Sequence, residues 1–274
     1  MTTTEDNPEL QLAWQIIERT DTNLFLTGKA GTGKTTFLRR LKELSPKRMV
    51  VVAPTGIAAI NARGVTIHSF FQLPLAPYVP GGTFNSQQQH YRLRKQKIDL
   101  LRSLDLLVID EISMVRADLL DAVDAVLRQY RRSEAPFGGV QMLMIGDLQQ
   151  LSPVVKDDER QLLSQYYDTL YFFGSHALCQ TDYSTVELKT VYRQTDRHFL
   201  DILNRVRENR VDQPTLDELN RRYIPDFRPG QDASYIRLTT HNQQAQRINQ
   251  DRLQELPGRE FAFKAHVEDD FPEY

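Results

Sequence analysis

A glycine-rich run with a lysine and a threonine, GKAGTGKT at positions 28 to 35, is the stretch whose residue types and spacing most directly indicate chemistry. It fits G-x-x-x-x-G-K-T, in which glycines let the backbone curl so that successive N–H groups point at an anion. A helix that starts at the end of the loop turns its partially positive N-terminus to the same anion. The pattern predicts a triphosphate-binding loop. The alternative is a glycine-rich turn with a surface lysine, which the flanking strand and helix patterns disfavour.

Individual roles follow from this loop. Lys34 would reach the β- and γ-phosphates, and the hydroxyl of Thr35 would ligate a Mg²⁺ ion that bridges them, whereas Thr36 is outside that metal register. The predicted nucleotide-contacting set is Gly28, Ala30, Gly31, Thr32, Gly33, Lys34, Thr35 and Thr36.

Two adjacent acids, Asp110 and Glu111, follow the apolar run LLVI. Beside a phosphate loop they would have separate tasks: Asp110 holds the magnesium ion through water, and Glu111 orients and deprotonates the attacking water. The pair fits a nucleotide hydrolase better than a kinase, because it supplies a base for water. The alternative is a helix cap or an exposed turn.

A second apolar run, QMLMI, leads into GDLQQL at positions 146 to 151. One glutamine amide there could bond both the γ-phosphate and the attacking water. Loss of the phosphate would then change the position of the backbone that follows. We assign this sensor role to Gln150 rather than Gln149. Two exposed loop glutamines are the alternative.

The elements that must position these residues are visible as apolar runs and helical periodicities. Short, fully apolar runs are typical of parallel strands that are covered on both faces, and the carboxyl ends of such strands form one ligand-binding rim. We predict strands at 23–27, 49–53, 106–110 and 141–145, and helices at 8–19, 34–44 and 118–131. The last helix is amphipathic, with charges opposite its apolar face. The predicted fold class is α/β.

Two further segments lie on the same rim. Pro54, Thr55 and Gly56 follow the second strand, and the loop 66–71 (TIHSFF) combines hydroxyls, a histidine and two aromatic rings. That combination suits phosphate contact and base stacking. From these residues alone the better interpretation is that Phe70 and the next phenylalanine are core and that His68 is an ordinary loop residue.

Composition excludes several classes. The chain has 274 residues and a net charge of -2, from 34 Lys+Arg and 36 Asp+Glu, so no overall basicity indicates nucleic acid. The single cysteine, Cys179, excludes a disulfide framework and a multi-cysteine metal site. No run approaches the ~18 apolar residues of a membrane span, and MTTTEDNPEL lacks the features of a leader. We expect an intracellular protein without membrane contact, cytoplasmic if it is bacterial and nuclear or mitochondrial if it is eukaryotic.

Several motifs in this order resemble the first motor core of a superfamily 1 DNA helicase, in the petite-integration-frequency (PIF-one) family of the RecD-like branch. The resemblance covers most of residues 7–194 and rests on GKAGTGKT, APTGIAAINARGVTIHSFF, LVIDEISMV with DLLDAVDAVLR after it, PFGGVQMLMIGDLQQLSPV and LKTVYRQ. It implies a P-loop NTPase with a RecA-like parallel sheet core, followed by part of a second RecA-like core. ATP would lie between the cores, and single-stranded DNA would cross their top and be pulled in the 5′-to-3′ sense.

The resemblance also implies roles that residue patterns alone do not. Gln11 matches the glutamine that reads the adenine, and Arg193 matches an arginine that reaches the γ-phosphate from the next domain. Thr55, Thr66 and His68 match segments that contact the strand. The implied DNA-binding set is Pro54, Thr55, Gly56, Thr66, His68, Ser69 and Phe70, the implied catalytic set is Lys34, Glu111, Gln150 and Arg193, and the implied metal ligands are Thr35 and Asp110.

The expected domains are a first core at 1–180, with a small wedge-like excursion at 72–97, and an incomplete second core at 181–274 that contains strands at 185–188 and 235–239. The implied cofactors are ATP and Mg²⁺, and the implied partners are single-stranded and forked DNA. Because later motifs of the family are absent, we expect a fragment with reduced or no unwinding. Separately, we expect a monomer. An RNA-directed motor and a nucleotide-dependent DNA-binding switch that does not translocate remain as alternatives. A phosphotransferase is less well supported, since no acceptor pocket is marked.

Overall fold

The computed structural model describes residues 7–81, 93–227, 235–259 and 261–264. Its core is a six-stranded sheet in the order β3-β2-β4-β5-β1-β6, in which every neighbouring pair is parallel. The strands are β1 (Asn23–Gly28), β2 (Met49–Ala53), β3 (Val65–Thr66), β4 (Leu106–Ile109), β5 (Gln141–Gly146) and β6 (Tyr183–Leu188). The predicted α/β class and the four predicted strands are confirmed.

Eleven α-helices accompany the sheet in the described residues. They are α1 (Pro8–Arg19), α2 (Lys34–Leu44), α3 (Gly56–Asn61), α4 (Ile67–Phe71), α5 (Lys95–Ser103), α6 (Ala117–Arg131), α7 (Asp157–Leu163), α8 (His176–Cys179), α9 (Arg197–Arg207), α10 (Gln213–Asn220) and α11 (Asn242–Gln254). None of the described helices is long and apolar enough to cross a membrane.

Side chains of the central strands form a hydrophobic core on each face of the sheet, because successive side chains along a strand point to opposite faces. On β1, Leu24 and Leu26 join one cluster with residues of α1 and α2, whereas Phe25 joins the other with residues of α4 and α6. All three side chains are at most 6% exposed. Cover on both faces explains why the central strands read as unbroken apolar runs.

Helix α6 corrects the prediction that its charges face solvent. Asp118, Asp121 and Asp124, at a spacing of three, are all buried. Each accepts backbone N–H groups from a different segment: Tyr78, His176 with Ala177, and Phe137, respectively. Buried carboxylates of this kind are stable only when hydrogen-bonded, so the three acids fix loops onto the helix.

Strand β6 was assigned to a second domain from the sequence, and that assignment was wrong. It pairs in parallel with β1 over six residue pairs, from Asn23 with Tyr183 to Gly28 with Leu188. The sheet and the elements up to α9 form one compact unit that ends at Val211, and a second unit begins at Asp212.

The second unit contains α10 and α11, with Asp212 capping α10 by accepting from the N–H of Thr215 at 3.0 Å. Residues 235–239, predicted as a strand, have no regular structure. Of the predicted excursion at 72–97, residues 82–92 lie outside the described residues, and its final helix is α5. The division into two RecA-like cores and a wedge remains a prediction.

Candidate nucleotide-binding site

The glycine-rich loop lies between β1 and α2, as predicted. Gly33 precedes α2 with a left-handed φ of 98°, and Gly31 has a φ of 78°. A Cβ atom on Gly31 would lie 2.6 Å from the Cβ of Arg193, a distance that side chains do not tolerate. Gly31 is therefore required both for its backbone conformation and for the close approach of the segment that carries Arg193.

Lys34 is the first residue of α2, and its ammonium group turns back into the loop. Nζ donates to the carbonyl oxygens of Gly28 at 2.5 Å and Lys29 at 3.1 Å. Burial lowers the pKa of Lys34, and the nearby carboxylates of Asp147 and Glu111 oppose this shift. The lysine is thus a partly desolvated cation whose present partners are neutral carbonyls, which an anionic phosphate could replace.

Asp110 and Glu111 follow β4 at the same edge of the sheet as the loop. The backbone N–H of Glu111, which has a left-handed φ of 53°, donates to Oδ1 of Asp110 at 3.1 Å. Burial, together with the charge of Glu111, raises the pKa of Asp110 to about 6. A bound divalent cation would stabilise the ionised form of a partly buried carboxylate that lies next to a second carboxylate, and Mg²⁺ prefers oxygen ligands of this kind. Asp110 therefore fits the predicted metal role, with Thr35 on the first turn of α2.

Gln150 is connected to a buried ion pair just beyond β5. Its Nε2 donates to Oδ2 of Asp147 at 2.8 Å, and the N–H of Gln149 donates to Oδ1 at 3.1 Å. Arg207 of α9 binds the same carboxylate with both terminal nitrogens, each at 2.6 Å. Asp147 is only 1% exposed. Burial opposes ionisation, but the hydrogen bonds from Arg207 and the two glutamines outweigh it and lower the pKa of Asp147.

Arg193 lies beside the loop within the same compact unit, not in a separate one. The N–H of Tyr192 donates to the carbonyl of Gly31 at 2.8 Å, and the hydroxyl of Tyr192 accepts from the Asn7 amide at 3.1 Å. The Arg193 side chain is exposed. Its segment is therefore held against the phosphate loop while the guanidinium keeps its freedom to turn.

Gln11 is exposed in the first turns of α1, where its N–H donates to the carbonyl of Asn7 at 3.0 Å. Asn7 also caps α1 by accepting from the N–H of Leu10 at 2.9 Å. Since Asn7 contacts Tyr192 as well, the start of α1 lies next to the segment that carries Arg193. The position is compatible with the predicted adenine contact, which stays a prediction.

The predicted DNA-binding residues lie on two adjacent strand ends, because Ala53 of β2 pairs with Thr66 of β3. Thr55 caps α3 by accepting from the N–H of Ala58 at 3.2 Å, and Thr66 caps α4 by accepting from the N–H of Ser69 at 3.3 Å. Pro54 and Gly56 flank the first cap, and Gly56 is exposed. Both helix starts therefore face the same edge of the sheet.

Phe70 corrects the implied stacking role. Its ring is 5% exposed, packs edge-to-face on Phe71 with centroids 4.8 Å apart, and has Nζ of Lys97 3.4 Å from its centroid. A ring covered on these sides offers no face to a base, so the core interpretation of both phenylalanines is the one observed. His68 is half-buried. Its burial, and to a smaller extent the nearby charge of Arg116, lowers the pKa of His68, so the imidazole is neutral at pH 7.

Sequence reasoning missed two contacts that tie α9 to the site. One is the Asp147–Arg207 ion pair; the other joins Nζ of Lys29 to Oδ1 of Asn204 at 2.7 Å. Asp147 had a weak signal, as an acid at a strand end on the functional rim. Arg207 had none, because an arginine in a charged helix usually faces solvent.

Comparison with known proteins agrees with this geometry. The sequence pattern of the PIF1-like helicase family matches residues 10–216. The chain is 36% identical over 253 residues to the "ATP-dependent DNA helicase PIF1" of Saccharomyces cerevisiae (strain YJM789), covering 89% of this chain and 28% of the relative. The protein of the same name from Homo sapiens is 37% identical over 250 residues, covering 89% and 36%. The chain thus spans about a third of these curated relatives.

Solved structures give the same result. A crystal structure of a Bacteroides Pif1 helicase in complex with ADP-AlF3 and ssDNA superposes with a TM-score of 0.85 at 43% identity, covering 94% of this chain and 58% of that chain. The Pif1 helicase of Candida albicans superposes with a TM-score of 0.76 at 30% identity, covering 94% and 56%.

Proposed function

Because the chain belongs to the PIF1-like helicase family, we propose that it is the nucleotide-hydrolysing core of an ATP-dependent DNA helicase. The observation that carries this proposal is the convergence of Lys34, the Asp110–Glu111 pair and the Arg193 segment around one phosphate loop. These are the groups that phosphoryl transfer to water requires: a cation for the phosphates, a base for the water and an arginine for developing charge.

The chain's own residues define the proposed steps. As the triphosphate enters, Lys34 exchanges its two backbone carbonyls for phosphate oxygens, and the loop amides bond the β-phosphate. Thr35 and Asp110 would hold a Mg²⁺ ion, which would neutralise phosphate charge and favour the ionised form of the Asp110 carboxyl. Glu111 takes the proton of the attacking water, Gln150 orients that water, and Arg193 turns to the γ-phosphate.

Single-stranded DNA is the proposed polymer. The helix starts at the half-buried Thr55 and Thr66 lie at the rim, next to the exposed Gly56 and Ser69, where hydroxyls and backbone N–H groups can contact phosphates. A Bacteroides Pif1 has been crystallised bound to ssDNA, and another similar structure describes DNA unwinding at forked dsDNA by two coordinating Pif1 helicases. We infer the same polymer here, with translocation in the 5′-to-3′ sense and unwinding as properties of the longer protein. The second core, from which the remaining DNA contacts would come, is part of this proposal.

The test is ATP turnover by the 274-residue chain with and without a short single strand of DNA, and with RNA of the same sequence. We expect hydrolysis that DNA stimulates more than RNA does. Equal stimulation by RNA would favour an RNA-directed motor, and no turnover in the presence of tight nucleotide binding would favour the switch. Absence of nucleotide binding would overturn the proposal.

A further inference from the structure

The ion pair between Asp147 and Arg207 is the best-formed charged contact at the edge of the candidate site. Both carboxylate oxygens of Asp147 are engaged by the two terminal nitrogens of Arg207, at 2.6 Å each. The Asp147 side chain is 1% exposed and that of Arg207 is 18% exposed. A two-point contact of this kind is both strong and specific in orientation.

The charges of this ion pair act on Lys34 through space. The carboxylates of Asp147, Glu111 and Asp110 all attract the Lys34 ammonium, whereas the guanidinium of Arg207 repels it. Asp147 is therefore one of the carboxylates that could compete with phosphate for the lysine. With Arg207 in place both oxygens of Asp147 are occupied, and Lys34 instead contacts the carbonyls of Gly28 and Lys29.

The same carboxylate also fixes the loop that follows β5. It accepts from the Gln150 amide at 2.8 Å and from the backbone N–H of Gln149 at 3.1 Å. Without the opposing charge of Arg207, a carboxylate this deeply buried would have to find another cation or take up a proton. Lys34, whose ammonium the charge of Asp147 attracts, is a candidate for that cation.

We propose that Arg207 is a positioning residue for the nucleotide site: by occupying both oxygens of Asp147 it keeps Lys34 available to phosphate and holds the acceptor of the Gln150 amide in place. This inference rests on the proposed function, since it assumes that Lys34 binds phosphate. Helix α9 begins four residues after Arg193. The segment after β6 would therefore act on the phosphate loop through Arg207 as well as through Arg193.

The test uses fluorescent ADP and a non-hydrolysable ATP analogue, with affinity measured on the 274-residue chain. In Arg207→Gln, the freed Asp147 pairs with Lys34, and we expect both affinities to fall by roughly tenfold or more. Adding Asp147→Asn removes the competing charge, so the double variant should recover to within about threefold of the unchanged chain. Denaturant unfolding is measured alongside, because Asp147→Asn would also relieve a structural loss caused by the unpaired buried carboxylate; the inference requires that affinity fall in an Arg207→Gln chain that is fully folded under the assay conditions.

The matched control is Arg205→Gln, which removes the same charge from the same helix. Arg205 pairs with Asp201 at 2.9 Å on the exposed side, with 40% and 57% of the two side chains accessible. We expect this variant to bind nucleotide like the unchanged chain.

Arg207→Lys provides a second measurement if the glutamine variant does not fold. A lysine keeps the charge but bonds only one oxygen well, so affinity should fall less than in Arg207→Gln, by a few-fold. Unchanged affinity in a folded Arg207→Gln, or a double variant as weak as the single one, would overturn the inference. If the unchanged chain bound nucleotide but did not hydrolyse it, the proposed function would fail while this comparison could still be made.

Discussion

Tyr192 donates its backbone N–H to the carbonyl oxygen of Gly31 at 2.8 Å, which joins the segment after β6 to the phosphate loop after β1. The two strands are neighbours in the sheet, so both segments leave the same edge. The contact leaves Arg193 directly beside the loop, with its Cβ where a side chain on Gly31 would have to be. Positioning of the arginine thus depends on the absence of a side chain at position 31.

Gly31→Ala should separate these two segments. The added methyl group meets the Cβ of Arg193 at 2.6 Å, and the φ of 78° is strained for any L side chain. We expect a loss of about 1–3 kcal/mol in unfolding free energy and a fall in ATP turnover of at least about tenfold. Gly56→Ala is the control for stability, because nothing lies within 4 Å of its added Cβ. Normal turnover in Gly31→Ala would show that Arg193 does not act from this position.

Glu111→Gln tests the assignment of the base. The amide keeps the size of the carboxyl group but cannot take a proton from water, so turnover should fall by about a hundredfold or more. Nucleotide affinity should be retained, since Lys34 and the loop amides are unchanged. The measurement pairs steady-state hydrolysis with fluorescent-nucleotide binding. If the variant hydrolysed ATP at the normal rate, another residue would have to be the base.

The predictable part of the site is the part encoded in short segments. The loop from Gly28 to Thr35 is identified by spacing alone, and its flanking strand and helix by local periodicity. What could not be predicted depends on distant partners. Only Val186 and Leu188 of β6 are buried, which is the pattern of a half-covered strand, and nothing local indicates that it pairs with β1 about 160 positions earlier.

Burial of polar and aromatic residues was also beyond local reasoning. The acids of α6 resemble a solvated face until the loops that donate hydrogen bonds to them are located. Phe70 lies between His68 and Phe71 in a segment that suits nucleic-acid contact, and only the packing of α5 and α6 shows that its ring is covered. In both cases a long-range contact decides which side of an element faces solvent.

Asp110→Asn should stabilise the nucleotide-free chain at neutral pH. The folded pKa of about 6 exceeds the ordinary value of 3.8, so the folded state binds the proton more tightly. The stability associated with that proton is full below about pH 4 and is lost as pH rises through about 6. The uncharged asparagine avoids this loss, and we expect a gain of about 1–3 kcal/mol at pH 7.5 that disappears near pH 4.

Denaturant unfolding at several pH values measures this effect, and Asp105 supplies a control of opposite sign. Hydrogen bonds from Arg48 hold the pKa of Asp105 at about 2, so its stabilisation is present above about pH 4 and is lost on acidification. Asp105→Asn should therefore destabilise slightly at pH 7.5. Destabilisation by Asp110→Asn at that pH would contradict the burial of its charge.

Substitutions of Phe70 and His68, which are two positions apart, should have different effects. The Phe70 variant should lose stability, and the His68 variant should lose affinity for DNA. Phe70→Ala removes a ring that is 5% exposed and that contacts Phe71 and Lys97, so unfolding free energy should fall by about 3–5 kcal/mol. His68→Ala removes a half-buried, neutral side chain at the rim, so stability should change by less than about 1 kcal/mol while affinity for a short single strand falls several-fold. Thermal melts and fluorescence anisotropy with labelled DNA distinguish the two variants.

Because a destabilised core could also weaken binding, the Phe70 variant is measured well below its melting temperature, where we expect DNA affinity within about threefold of normal. A folded Phe70→Ala chain that lost DNA binding outright would restore the stacking role that its burial argues against.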